Sequence, residues 1–260
     1  MKRELNAIFT IAYRDILGLF RDKTRIIFSL IFSVIFVSII GGMLGQNLGH
    51  NLPFNYIQFV FFGVLTQTLF QGALGGIISL VRDRENNFSQ EILIAPISRY
   101  SIILGKVIGS SVASVIYALG IVLYGFVANV GLTWADLGLM LPVVVVATMV
   151  GSAFGLLLIG VVKNQQTFQM LFPLVIFPQT FVAGIITPIN NSEWWLSVIT
   201  HIAPLTYVVD FMRNMLSVSH AEYKSLILYS PWVDLLVIAA MIVVFVVIGT
   251  WAFVRSERRK

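Results

Sequence analysis

Three histidines, His50, His201 and His220, and no cysteine stand in the 260-residue chain. Disulfides, thiolate metal sites and cysteine nucleophiles are thereby excluded. No G-x-x-x-x-G-K phosphate loop, H-E-x-x-H helix or G-x-S-x-G elbow occurs, so the common signs of an NTPase, a metalloprotease and a serine hydrolase are missing. The one cluster suited to acid–base work is Glu193, His201 and Asp210, which would serve a membrane-embedded enzyme acting on lipid. Other polar groups in apolar surroundings are uncharged. Gln67 and Gln71 stand one helical turn apart, as do Gln165 and Gln169, with Gln179 further on and Tyr117 and Tyr124 two turns apart. Such side chains either line a polar path through a helix bundle or join helices by hydrogen bonds, each worth about 0.6 kcal/mol in a membrane. Aspartate and glutamate are absent from the long apolar runs, whereas a proton relay or ion-coupled transporter needs ionisable groups at membrane depth. Any work this chain does draws its energy from elsewhere.

The elements that must position these groups follow from composition. Hydrophobic residues make up 58% and charged residues 11%, too few charges to coat a globule in water. Charge-free runs occupy Ile26–Val81, Val107–Ala135, Leu137–Val162, Asn164–Ser192 and Leu235–Val254, and a helix needs roughly 20 apolar residues to cross a bilayer. The first run is broken by Gly45, Gln46, Asn47, His50, Asn51 and Pro53, so it holds two spans. An all-α integral membrane protein follows, with six spans near 26–45, 57–81, 102–129, 137–162, 165–187 and 233–254. Fifteen of the 17 Lys and Arg residues then fall on one side, and only Arg213 and Lys224 on the other. The positive-inside rule places both termini in the cytoplasm and makes the net charge of +5 a mark of sidedness, not of a nucleic-acid partner. The start of the chain does not read as a cleaved leader. One membrane domain is expected over 1–260: a surface helix in 1–25, the spans in 26–254 and a basic tail in 255–260.

Ahead of the first span, Leu5, Ile8, Phe9, Ala12, Ile16, Leu19 and Phe20 recur at helical spacing, which predicts an amphipathic helix on the membrane surface or on a partner protein. Between the second and third spans, Arg82 to Lys106 is the most polar interior stretch. Within it Phe88, Ile92, Leu93 and Ala95 predict a short helix ending before Pro96, a docking surface for a cytoplasmic partner. Between Pro188 and Pro231, Trp194–Ile202 and Leu205–Leu216 are too short to span and read as re-entrant or interfacial helices, with Trp194 and Trp195 in the aromatic belt. Asp210 and Arg213, three residues apart, are expected to form a local ion pair.

Two blocks carry a family resemblance. Arg84-Glu85-Asn86-Asn87-Phe88-Ser89-Gln90-Glu91, Ala95-Pro96-Ile97-Ser98-Arg99 and Leu104-Gly105-Lys106 resemble the cytoplasmic loop of ATP-binding-cassette exporter permeases of the drug and polysaccharide type. Gly184, Pro188, Trp195 and the run Pro204-Leu205-Thr206-Tyr207-Val208-Val209-Asp210-Phe211-Met212-Arg213 resemble that family's outer segment before the last span. Asn87 stands where many members have glycine, and Phe88 resembles the daunorubicin-resistance-like branch. The resemblance implies a plasma-membrane permease without its own ATPase, paired with a second copy as a homodimer and surrounded by lipid. Two cytoplasmic ATPase subunits, holding ATP and magnesium, would drive it; the chain itself would need no cofactor. It further implies that Arg84, Glu85, Phe88, Glu91, Pro96 and Arg99 belong to a coupling helix gripped by that ATPase. The substrate would be an amphipathic drug, a lipid or a glycan. A membrane scaffold that regulates an ATPase without moving solute is the remaining alternative.

Overall fold

A computed structural model describes residues 2–48, 52–85, 98–162, 164–190 and 193–257. Among them there are helices and turns and no strand. The first helix, α1 (Lys2–Arg21), is amphipathic as its spacing requires, burying Ile11, Ala12 and Leu19. Next, α2 (Lys23–Phe36) runs through a π turn at Val37–Gly41 into α3 (Gly42–Leu48). Then come α4 (Tyr56–Ile77) and α5 (Ser79–Glu85), followed by α6 (Arg99–Val127), α7 (Trp134–Val161) and α8 (Gln165–Val182). Two short helices, α9 (Trp194–Ile202) and α10 (Pro204–Leu216), and a 3₁₀ turn at Ala221–Leu226 lead to α11 (Pro231–Glu257).

Polar caps fix the starts. Asn55, Ser98 and Asn164 accept from amides in the first turns of α4, α6 and α8, and Thr133 and Asp136 cap α7 reciprocally. Proline at the first position starts α10.

The helices sort by burial. In the apolar window of α4, 83% of residues are buried, against 17% for the window in Ile26–Gln46 and 11% for that in Pro231–Ala252. A helix apolar on every side belongs in a core, and α4 packs against both α6 and α7. Close approach makes this possible. A Cβ at Gly76 would collide with Ser110 of α6, and one at Gly151 of α7 with the Phe70 carbonyl of α4. The more exposed helices turn Phe28, Phe32 and Met43, or Leu236, Val243 and Val247, outward.

Five helices are long and apolar enough to cross a membrane: Ile26–Gln46, Tyr56–Asp83, Tyr100–Val127, Trp134–Val161 and Pro231–Ala252. Each lies within a few residues of an expected span. The span expected at 165–187 is the 18-residue α8, continuous with Pro173 and Pro178 inside it, and is not among the five. Instead α9 and α10, bent by 87°, give a sixth crossing if the pair is one broken span. Their bounds match the two short helices expected there.

At 29 residues, α6 is about 43 Å long, more than the roughly 30 Å of a hydrocarbon core. Its first turns lie at the end where α1, α5 and the start of α8 gather. This basic end carries the candidate site; the opposite end holds the 183–231 segment.

Candidate functional site at the basic end of the bundle

Three helices meet in a lattice of charge. Lys106 of α6, with no side-chain exposure, donates to Asp15 of α1 at 3.0 Å and to Asp83 of α5 at 2.8 Å. Its ammonium also reaches the Ser79 hydroxyl at 2.8 Å. Ser79 in turn donates to Asp15 at 3.1 Å. Arg14 completes the group, 2.6 Å from Asp83 and 3.2 Å from Asp15. Burial lowers the Arg14 affinity for its proton, and bonding to Asp83 and Asp15 outweighs that, so its pKa ends above the usual arginine value. Glycine lets the helices close on this lattice: a Cβ at Gly105 of α6 would come within 2.9 Å of Ile8 and Ile11 of α1.

A second tie lies one helical stretch away. Glu4, in the first turn of α1, accepts from the Ser98 amide at 3.1 and 3.2 Å and from the Ser101 hydroxyl at 2.5 Å. Its carboxylate thus sits at the positive end of α6. The bonds from Ser101 and then Ser98 hold its pKa below the usual glutamate value. On the other flank, Glu85 accepts from the Gln165 amide at 2.8 Å and so caps α8.

These contacts frame both edges of the stretch expected to couple to a partner. Phe88, Glu91 and Pro96 lie outside the described residues, as does the short helix expected there. Arg84 and Arg99 fall at the end of α5 and the start of α6. Glu85 does stand at the edge of this stretch, but its carboxylate is engaged with α8. Asp15, Ser79 and Asp83 were not singled out by sequence reasoning. The available signal was an acidic residue, Asp15, on a helix facing a lysine that opens a charge-free run.

The polar residues expected along a path take several kinds of partner. Gln67 of α4 donates to Thr180 of α8. Tyr124 of α6 bonds Ser38 at 2.6 Å. Both join helices. Gln179 is buried, with its amide oxygen unpartnered among the described residues. Gln165 and Gln71 are half-buried and Gln169 is exposed. Tyr117, 3% exposed, lines a cleft of about 720 Å³ beside α1.

At the opposite end, Asp210 and Arg213 are both buried and take different partners, contrary to the expected ion pair. Asp210 accepts from the Leu228 and Tyr229 amides at 2.8–3.1 Å. Arg213 donates to the Gly184 carbonyl, with its guanidinium 4.6 Å from the Phe59 ring centre. Gly184 turns there with φ of 75°, which favours glycine. Tyr207 donates to the His201 carbonyl at 2.9 Å and stacks on Tyr229. Thr206 is buried beside Pro204. His201, exposed, bonds the Ser197 carbonyl and the Tyr229 hydroxyl. Glu193, His201 and Asp210 share no hydrogen bond or ion pair, so they do not form an acid–base cluster. Among the described residues no group of three His, Cys, Asp or Glu is placed to hold a metal.

The sequence profile of the family described as ABC-2 type transporter matches residues 6–217. The chain is 32% identical over 184 residues to ycf38 of Cyanophora paradoxa, named as a candidate transport permease, covering 66% of this chain and 60% of that protein. It is 26% identical over 183 residues to the like-named protein of Porphyra purpurea, covering 70% and 63%. YbhR of Escherichia coli K12, named a probable multidrug ABC transporter permease, is 24% identical over 145 residues, covering 53% of this chain and 38% of YbhR. The matched stretch thus spans less than two thirds of each of these relatives. Helical architecture, five or six helices long and apolar enough to cross a membrane, and a profile match running from α1 through α10 agree: this chain belongs to the ABC-2 type transporter family.

Proposed function

We propose that the chain is the permease of an ATP-driven exporter, working as a homodimer of six-span subunits with its basic end in the cytoplasm. The observation that carries this reading is the anchoring of the 86–97 stretch at both edges. Asp83 is tied to α1 and α6, Glu85 to α8, and Ser98 to α1. A partner ATPase that pushed on this stretch would move α1, α6 and α8 together, and so bias the bundle between two states of access. In this reading Glu91, Phe88 and Pro96 contact the partner, with Arg84 and Arg99 beside them, while Glu85 passes motion to α8. ATP and magnesium belong to the partner. The substrate is an amphipathic drug, lipid or glycan at the plasma membrane. The multidrug name of YbhR and the branch resemblance at Phe88 favour the first of these.

Co-purification from the native membrane is the test. A tagged chain is expected to retain an ATP-binding-cassette ATPase, and Glu91→Lys to lose it while still inserting. Retention of the ATPase by Glu91→Lys removes that residue from the contact. Recovery of the chain without any ATPase removes the exporter reading. ATP hydrolysis stimulated by the chain with no solute movement in vesicles would make it a scaffold instead.

A further inference from the structure

The cleft beside α1 is not accounted for by coupling. It lies between the second half of α1, the end of α4, α5 and α6, and its volume is about 720 Å³, within the range of small-molecule sites. Its walls divide by chemistry. Leu17, Leu19, Ala113 and Tyr117 give an apolar interior. The charged groups on it are Arg14, Arg21 and Arg82 with Asp15, Asp22 and Asp83, and Lys106 reaches in behind Asp15 and Asp83.

Charge balance decides what such a cleft prefers. Arg14 and Lys106 offset Asp15 and Asp83 through the ion pairs already described. Arg21 and Arg82, both exposed, share the rim with Asp22, and Lys23 follows in sequence, so the rim carries a cationic excess. From Arg82 back to Gly72 is ten residues of nearly continuous helix, about 15 Å and roughly half the depth of a hydrocarbon core. The cleft is therefore cationic at its mouth and apolar below, and the mouth opens beside a helix whose exposed Phe9, Tyr13 and Phe20 suit a membrane surface.

We propose that this cleft holds an anionic phospholipid of the phosphatidylglycerol kind. Its phosphate sits at the Arg21 and Arg82 rim, and one acyl chain runs over Leu17, Leu19, Ala113 and Tyr117. The site shares Arg14, Asp15, Ser79 and Asp83 with the charge lattice, and lipid held there sets how far α1 stands from α4.

The test uses the full chain purified in neutral detergent, with native mass spectrometry and thermal shift read after adding dioleoyl-phosphatidylglycerol, dioleoyl-phosphatidylcholine or inorganic phosphate. Phosphatidylglycerol is expected to be retained and to raise Tm above the other two. Reversing both charges, Arg21→Glu with Arg82→Glu, is expected to weaken that retention at least about tenfold. Gly18→Leu supplies an independent block: nothing lies within 4 Å of a Cβ at that position, and leucine favours helix over glycine. It is expected to abolish the phosphatidylglycerol shift without lowering the Tm of the lipid-free chain. Equal retention of the two lipids, or no effect of the charge reversal, overturns the proposal. An equal shift with inorganic phosphate overturns it too, since the site would then need no acyl chain.

Discussion

The two ends of the bundle both bury charge, and they neutralise it by different means. At the basic end the partners are other charged side chains on other helices: Lys106 with Asp15 and Asp83, Arg14 with both. At the opposite end the partners are mostly backbone groups, rings and uncharged side chains. Asp210 is held by the Leu228 and Tyr229 amides, Arg213 by the Gly184 carbonyl and the Phe59 face, and Asp136 by the Thr133 amide with Ser219 and His220. Ion pairs between long side chains can be exchanged as helices slide, because either partner can find another of the same sign. Bonds to the backbone fix one loop conformation. The buried charges of the basic end therefore depend on one another, and those of the opposite end depend mainly on their local loop conformation.

The largest effect is expected from Lys106→Met, which leaves two carboxylates facing each other with Arg14 alone. Removing one partner of a buried pair costs about 3 kcal/mol, less whatever water supplies to the part-exposed Asp15 and Asp83. Thermal unfolding in detergent measures it. Lys106→Met combined with Asp15→Asn should recover much of the loss if the lattice is exchangeable; simple additivity of the two changes would show it is not.

Arg213→Ala comes next, at about 2 kcal/mol for a lost charged hydrogen bond and ring contact in a buried site. Here the comparison predicts a local effect: hydrogen exchange should speed at residues 183–186 and stay unchanged around Asp83 and Lys106. A change spread over both ends would break the contrast.

The smallest effect is a pH dependence. The Glu4 carboxylate is held below its usual value by Ser101 and Ser98, so its contribution is complete above the unfolded glutamate value of about 4.3 and is lost as pH falls through the lower folded one. Exchange protection at Ser101 and Ile102 should therefore fall on acidification, and Glu4→Gln should remove the dependence. Protection at Leu228 and Tyr229 should be unaffected by Glu4→Gln.

Much of this fold was legible because its rules are local. A charge-free run of lipid length reads directly as a span, and five of the six expected ones stand within a few residues of where the charges stop. Likewise, Trp194–Ile202 and the helix after it follow from short apolar stretches bounded by polar residues and Pro204. The span expected at 165–187 corresponds to α8, which stays one continuous helix with Pro173 and Pro178 inside it. The candidate site was far less legible. Glu85 is expected only to meet a partner ATPase, and its bond to Gln165, 80 residues away, follows from no local pattern. The lattice joins Asp15 to partners 64 and 91 residues away, and no periodicity reports such pairs. Sequence proximity misled in the other direction at Asp210 and Arg213, where burial between different neighbours decided the partners.

The Glu4 contact also has a consequence in time. Glu4 is made 94 residues before Ser98. At a synthesis rate of about 5–20 residues per second, α1 therefore exists for roughly 5–20 s before the helix it caps emerges. For most of that interval Asp15 and Arg14 have neither Lys106 nor Asp83 to meet, and the face of α1 that packs on α6 is uncovered. α1 is therefore complete well before α6, the helix against which it packs in the folded chain.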